Sequence, residues 1–235
     1  MNILQDIKKA GAVMKRLACL HAHYSNVEYI EQALAPYGLE LVHYTDPGLI
    51  RRMSSDPRFS QAEALEHATN QLEWMMDCGA DAVLVTCTQY AALLEESRQE
   101  WQVPVITINE PFFDVLCSNE QPQIVLFTNP GTVEGTMRRL HAFADEVGKV
   151  PQVEAQLIEG SFGLIMEGKK EEYLERVSGY MKELIQTGEQ RMIFAAQLSM
   201  TEAAEAVERQ CRCEIGNPLK ALVPSLTVTL GLERR

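Results

Sequence analysis

The chain has 235 residues, 46% of them hydrophobic and 23% charged, with 14 Gly and 10 Pro; this is the composition of an ordinary globular protein and excludes disordered and fibrous classes. Asp and Glu number 33 against 21 Lys and Arg, a formal charge of -12 that repels a phosphate backbone, and the basic doublets Lys8-Lys9, Arg51-Arg52, Arg138-Arg139 and Lys169-Lys170 are scattered, so no nucleic-acid partner is expected. No apolar run approaches the roughly 20 residues that span a bilayer, and the opening MNILQDIKKAGAVMKRL lacks the apolar stretch and cleavage site of a leader, so no membrane is expected and a cytoplasmic location is the default.

In chain order, RLACLHAH (16–23) is a short apolar run ending in polar residues, as in a buried parallel strand and the loop at its carboxyl end. NVEYIEQALAPYG reads as a helix with Val27, Ile30 and Leu34 on one face, and LELVHYTDPGLIRRM as a second strand followed by a Pro-Gly turn. Ala64, Leu65, Ala68, Leu72, Met75 and Met76 recur at helical spacing. ADAVLVTC (80–87) follows as the strongest buried-strand signal in the chain. QYAALLEESRQEW continues as helix, and VPVITINEPFF is a strand running into a loop.

The second half repeats the plan. IVLFTNPGTVEGTMRRLHAFADEV is strand, polar loop and helix, VEAQLIEG a strand, EEYLERVSGYMKELIQTGEQ a helix, and MIFAAQLSMTEAAEAVERQC again strand, loop and helix. Such alternation requires parallel sheets covered by helices. Arg16 to His23 matches Gln123 to Pro130 at an offset of 107, and Val83 to Tyr90 matches Ile193 to Met200 at an offset of 110. Two such units face to face bring the carboxyl ends of both strand sets to one cleft, where open parallel sheets place ligands, and set Cys87 opposite Gln197.

The six cysteines, at 19, 78, 87, 117, 211 and 213, lie too far apart for a disulfide scaffold and form no CxxC. Cys87 ends a buried strand just before a helix, where amide N–H groups lower a thiol pKa and favour the thiolate needed for proton abstraction or nucleophilic attack; the bland alternative is a buried small hydrophobe. Thr86, Thr88 and Gln89 flank it. The loop Thr128-Asn129-Pro130-Gly131-Thr132, continuing to Thr136, reads as an anion cradle opening a helix, or simply as an N-cap and turn. It is not a Walker loop. His21, His23, Tyr24, Ser25 and Asn26 form a polar cluster after the first strand; HxH can ligate metal, but no cysteine or carboxylate sits at supporting sequence spacing, so no metal is expected. Ser199 and Thr201 follow Gln197 and either face the cleft or cap the next helix.

ADAVLVTCTQY, FTNPGTVEGTMRR, MIFAAQLSMTEA and LACLHAHYSNVEYI, spread over nearly the whole chain from about Arg16, together resemble the aspartate/glutamate racemase superfamily, which includes hydantoin racemases, maleate isomerases and arylmalonate decarboxylases. The resemblance implies an α/β fold of two pseudosymmetric lobes, each a parallel sheet covered by helices, with the active-site cleft between them. It implies a first lobe of residues 14–115 plus 217–235 and a second of 116–216, and a homodimer. It implies cofactor-independent chemistry on a small amino acid or carboxylic acid with Cys87 as the catalytic thiol. Thr88 maps onto a carboxylate-holding position, Thr132 and Thr136 onto second-lobe hydroxyl residues near the substrate, and the segment holding His21, Tyr24, Ser25 and Asn26 onto the first-lobe substrate loop; Thr128, Asn129, Gln197 and Ser199 are substrate-binding candidates from their own positions in the second-lobe loops. The departure is Gln197, where a second thiol is expected, since an amide is neither acid nor base at neutral pH. One thiol favours covalent addition, decarboxylation or elimination over symmetric racemisation, with His21, His23, a tyrosine or water as the second acid. A small-acid binding protein without turnover and a thiol hydrolase are the competing classes.

Overall fold

A computed structural model describes residues 14–97, 99–188 and 190–235; most of the opening segment, with the Lys8-Lys9 doublet, lies outside the described residues. The first sheet contains β1 (Lys15–His21), β2 (Leu39–Thr45), β3 (Ala82–Val85) and β4 (Val105–Thr107), all parallel, in the order β2-β1-β3-β4. Its helices are α1 (Asn26–Leu34), α2 (Gly48–Ser55), α3 (Gln61–Asp77) and α4 (Thr88–Ser97), and α5 (Glu110–Ser118) leads to the second sheet. There β5 (Gln123–Phe127), β6 (Val153–Leu157), β7 (Met192–Ala195) and β8 (Ile215–Gly216) are again all parallel, in the order β6-β5-β7-β8. They alternate with α6 (Pro130–Glu146), α7 (Ser161–Met166), α8 (Lys170–Gln186), α9 (Thr201–Cys211) and the closing α10 (Pro218–Leu230).

The two lobes therefore share one topology, the pseudosymmetry expected from the repeat. Their register corrects one offset. Leu17 pairs with Ala82 and Gln123 with Met192, so the offsets of the two strand pairs must differ by 4, whereas 107 and 110 differ by 3. The carboxyl ends of β3 and β7, Val85 and Ala195, keep 110, and those of β1 and β5, His21 and Phe127, give 106. The sequence match of β1 to β5 was thus one residue out of step, which in a strand exchanges the two faces. Cys87 and Gln197 remain equivalent.

Helices on both faces account for strands that read as continuous apolar runs. In β1, Leu17 and Cys19 turn toward Ile30 and Leu34 of α1 and Leu222 and Leu226 of α10, while Ala18 and Leu20 turn toward Ala64, Ala68, Leu72 and Met75 of α3. Each fully buried Leu of this kind contributes about 1.5–3 kcal/mol. In the second sheet Ile124 and Leu126 pack with α8 and α9, and Val125 and Phe127 with Phe112, Phe113 and Leu116 of α5 and Leu140 of α6. Gly216 of β8 lies so close to Phe194 that a Cβ there would fall 2.1 Å from the ring; the short last strand fits beside β7 only because that side chain is missing.

Two stretches differ from expectation. The Pro-Gly turn after β2 opens helix α2, because Asp46 Oδ1 accepts from Gly48 N–H at 2.7 Å and Leu49 N–H at 3.3 Å and so supplies the cap. The loop expected after Asn109 is helix α5, whose buried Phe112, Phe113, Leu116 and Cys117 share one face. No helix among the described residues is long and apolar enough to cross a membrane.

Candidate functional site

Because every strand in both sheets is parallel, the carboxyl ends of all strands in a sheet point the same way, and loops from both lobes meet there. A cavity of about 260 Å³ lies at this junction, a volume at the small end for ligand sites and suited to a metabolite of a few heavy atoms. Residues from β1, β3 and β4 exits form one wall and residues from β5 and β7 exits, with Pro218, the other. Asn26, Cys87, Thr88, Asn129, Thr132, Gln197 and Ser199, all singled out from sequence, line it.

Cys87 sits between the buried end of β3 and the first turn of α4, half-buried. Burial pushes its thiol up; the backbone N–H groups of Tyr90 and Gln89 and the Arg139 guanidinium act the other way without overturning the shift. The helix N-terminus is therefore present as expected, but the lowered pKa is not, because desolvation of the anion outweighs two amides and one cation. Arg139 reaches this region from α6 by donating from Nη1 to the Thr88 carbonyl, so a second-lobe cation is placed behind the first-lobe thiol. Tyr90 is anchored by its hydroxyl, which donates to Asp46 Oδ2 at 2.9 Å. That carboxylate also accepts from Gln71 Nε2 at 2.6 Å and His67 Nε2 at 2.9 Å. The start of α4, and with it the thiol, is thereby tied to α3 and to the end of β2.

Gln197 is not a free cleft amide. Its Oε1 accepts from Thr128 N–H at 2.7 Å, Thr128 Oγ1 at 2.8 Å and Asn129 N–H at 3.1 Å, fixing the β5–α6 loop; its NH2 end is what remains to meet a ligand. Thr128 is buried behind this contact and does not line the cavity. The Tyr173 hydroxyl, beside Thr128 Oγ1 at 3.3 Å, lies 2.8 Å from Ser199 Oγ, so Ser199 is held on the wall by a tyrosine that sequence did not single out. Asn129 caps α6 by accepting from Gly131 N–H at 2.9 Å, and Thr132 Oγ1 donates back to the Asn129 carbonyl at 2.9 Å. The N-cap reading of this loop is thus realised, and Asn129 and Thr132 also stand on the cavity wall. Thr136, one turn further along α6, is buried and away from the cavity.

The first-lobe segment divides. Asn26 lines the cavity and donates from Nδ2 to Thr86 Oγ1 at 3.3 Å. Tyr24 is 73% exposed, and Ser25 Oγ is occupied by His23 Nδ1 at 2.8 Å; neither lines the cavity. His21 is fully buried inside the first lobe, one layer behind the wall, against Thr86 and His43. His23, two residues on and past the strand, is the histidine that lines the cavity. With Cys87 it makes up the two titratable side chains among the described lining residues, a pairing visible in sequence only once the end of β1 is fixed at His21.

The model of the Asp/Glu/hydantoin racemase family matches residues 18–226. Comparison with curated protein sequences finds no match. Among solved structures the fold is similar to an aspartate racemase of Picrophilus torridus (TM-score 0.68, 12% identity, 94% of this chain and 96% of that one). It is also similar to glutamate racemase RacE1 of Bacillus anthracis (0.63, 14%, 92% and 82%) and to an allantoin racemase of Klebsiella pneumoniae (0.60, 19%, 94% and 90%).

Proposed function

The chain belongs to the Asp/Glu/hydantoin racemase family, and from that premise we propose that it is a cofactor-independent, racemase- or isomerase-like enzyme acting on a small amino acid or carboxylic acid through Cys87. The observation that carries the reading is the position of Cys87. It is the thiol on the cavity wall, next to two backbone N–H donors, with Arg139 behind it and a ring of short polar side chains around it. In this reading the Cys87 thiolate removes the proton from the carbon beside a carboxylate, or adds to an electrophilic carbon. Thr88 and the NH2 of Gln197 hold the carboxylate, with Asn26, Asn129, Thr132 and Ser199 shaping the rest of the pocket. His21 and Thr128 act from behind the wall, His21 on Thr86 and Thr128 on Gln197.

A second reading is favoured by one observation. The position equivalent to Cys87 is Gln197, whose carbonyl end is consumed by three hydrogen bonds, so the opposite wall carries no second thiol. Stereochemical inversion needs a proton donor on that face, whereas a decarboxylase, in which the carbon–carboxylate bond breaks, carbon dioxide leaves and the carbanion takes one proton from the Cys87 thiol, does not. His23 or water then returns a proton to Cys87. Alkylation of Cys87 by iodoacetamide, followed by peptide mass spectrometry with a panel of small amino acids, hydroxy acids and dicarboxylates, tests the common element of both. A member of the panel is expected to slow Cys87 labelling at least fivefold while leaving Cys78 and Cys211 unaffected. A panel without effect on Cys87 contradicts a carboxylate site at this thiol.

A further inference from the structure

Beneath α1 the inner face of the first sheet changes character along its length. Side chains alternate along a strand, so Leu17, Cys19 and His21 of β1 share a face with Leu39, Leu41 and His43 of β2. The register sets Leu17 beside Leu41 and Cys19 beside His43. The apolar rungs at the amino end thus give way at the carboxyl end to one thiol and two imidazoles. One ligand atom from each of Cys19, His21 and His43 lies within 4.8 Å of the other two. Cys19 and His21 are fully buried.

The ring nitrogens are sorted into inner and outer ones. His21 Nε2 and His43 Nδ1 face each other at 2.9 Å. The outer nitrogens already have neighbours: His21 Nδ1 lies 2.8 Å from Thr86 Oγ1, and His43 Nε2, buried and without a hydrogen bond, lies 3.7 Å from Glu31 Oε1. A histidine that ligates metal through one nitrogen characteristically donates from the other to a hydroxyl, carbonyl or carboxylate, which fixes its tautomer. Here both outer partners are of that kind. Bond lengths near 2.0–2.1 Å to nitrogen and 2.3 Å to sulfur place tetrahedral ligand atoms about 3.3–3.6 Å apart. The two nitrogens would therefore separate by a few tenths of an ångström, and the sulfur would close by about 1.3 Å at most.

We propose that Cys19, His21 and His43 form a site for a borderline-soft divalent cation of the zinc class, buried in the first lobe and separate from the cleft. The mixed thiolate and imidazole donor set selects zinc or cobalt over magnesium or calcium. On binding, the thiol of Cys19 loses its proton to solvent and a metal–sulfur bond replaces it. The proton between the two rings moves to an outer nitrogen, so that His21 Nδ1–H donates to Thr86 and His43 Nε2–H faces the Glu31 carboxylate, 3.7 Å away. The balance is one proton released per ion and no electron transferred. Thr86 then links the site to the cavity wall, and occupancy would set the direction of its hydroxyl next to Cys87.

The test uses the full-length, reduced and chelator-stripped protein. Co2+ is added while thiolate-to-metal charge transfer is followed in the near ultraviolet, and Zn2+ is then titrated in competition. The expected result is one tightly held ion per chain, with the charge-transfer band absent in Cys19→Ser and retained when exposed Cys78 and Cys211 are both changed to Ser. His43→Gln, at the partly exposed edge of the cluster, is expected to weaken binding at least tenfold, and it keeps the test decisive should Cys19→Ser not fold. Histidine side-chain NMR signals of His21 and His43, but not of His67 or His141, are expected to shift with Zn2+. A protein that takes up no ion, or a band that disappears with Cys78 and Cys211 instead of Cys19, overturns the proposal.

Discussion

Asp46→Asn is the substitution whose cost follows most directly from the geometry. Burial by itself would push the Asp46 carboxyl up, but hydrogen bonds from His67, Tyr90, Gln71 and Gly48 N–H together draw it down from 3.8 to about 2. At about 1.4 kcal/mol per pH unit, the charged form contributes about 2 kcal/mol to folding. Asn retains an acceptor for Gly48 N–H and Leu49 N–H, but it sets an NH2 group where Oδ2 accepts from His67, Gln71 and Tyr90. Tyr90 is fully buried, and leaving its hydroxyl with only the longer bond to the Asp46 backbone carbonyl, at 3.3 Å, costs about 1 kcal/mol. Urea unfolding followed by circular dichroism at pH 7 should therefore show a loss of about 3 kcal/mol. The folded-state pKa lies below the unfolded one, so the charge contribution is fully present above about pH 4 and is lost as pH falls toward 2. At pH 3 the gap between the two proteins should narrow by about 1 kcal/mol. A gap below about 0.5 kcal/mol at pH 7, or one unchanged at pH 3, would refute the assignment of Asp46 as the ionised anchor of α4.

Iodoacetamide labelling of the ligand-free protein near neutral pH should modify exposed Cys78 and Cys211 first and half-buried Cys87 later, with Cys19 and Cys117 last. Burial drives the Cys19 thiol up to about 12 and raises those of Cys87 and Cys117 as well. Labelling of Cys87 ahead of the exposed pair would mean that the helix N-terminus and Arg139 outweigh desolvation. Gln197→Cys should cost about 2–3 kcal/mol, because three donors lose their shared acceptor, measurable as a lower urea midpoint. It should also gain racemisation of any amino acid whose α-proton the parent protein exchanges. Unchanged stability would contradict the role of Gln197 in fixing the β5–α6 loop, and unchanged stereochemistry its position across the substrate from Cys87.

The strands were legible because a parallel strand buried on both faces is an uninterrupted apolar run, and β1, β3, β5 and β7 are such runs. Locating their carboxyl ends was enough to bring Asn26, Cys87, Thr88, Asn129, Thr132, Gln197 and Ser199 to one cavity. What escaped depends on side chains acting across the fold. Helix α2 hides behind Pro47 and Gly48 because its cap, Asp46, also answers to α3 and α4, partners far along the chain. Helix α5 was hidden because its apolar face is completed by the second lobe. His21 and His23 look interchangeable in HxH, yet the last strand residue must follow the face of Leu17 and Cys19 while the next histidine lies beyond the sheet. The alternation Leu39, Leu41, His43 carried the matching signal, and only the β1–β2 register turns it into a cluster. The thiol pKa departs from expectation for a related reason: sequence places the helix N-terminus but not the burial that opposes it.

The central claim is tested most directly by proton NMR of small amino acids, hydroxy acids and dicarboxylates in deuterated buffer, comparing the parent protein with Cys87→Ser. The account predicts deuterium incorporation at the carbon beside the carboxylate, or a new product, for at least one compound, and its loss in Cys87→Ser. Turnover that persists in Cys87→Ser would remove the thiol from the chemistry, and a panel that shifts the protein's own signals without any exchange or product would contradict enzymatic function and leave a small-acid binding protein.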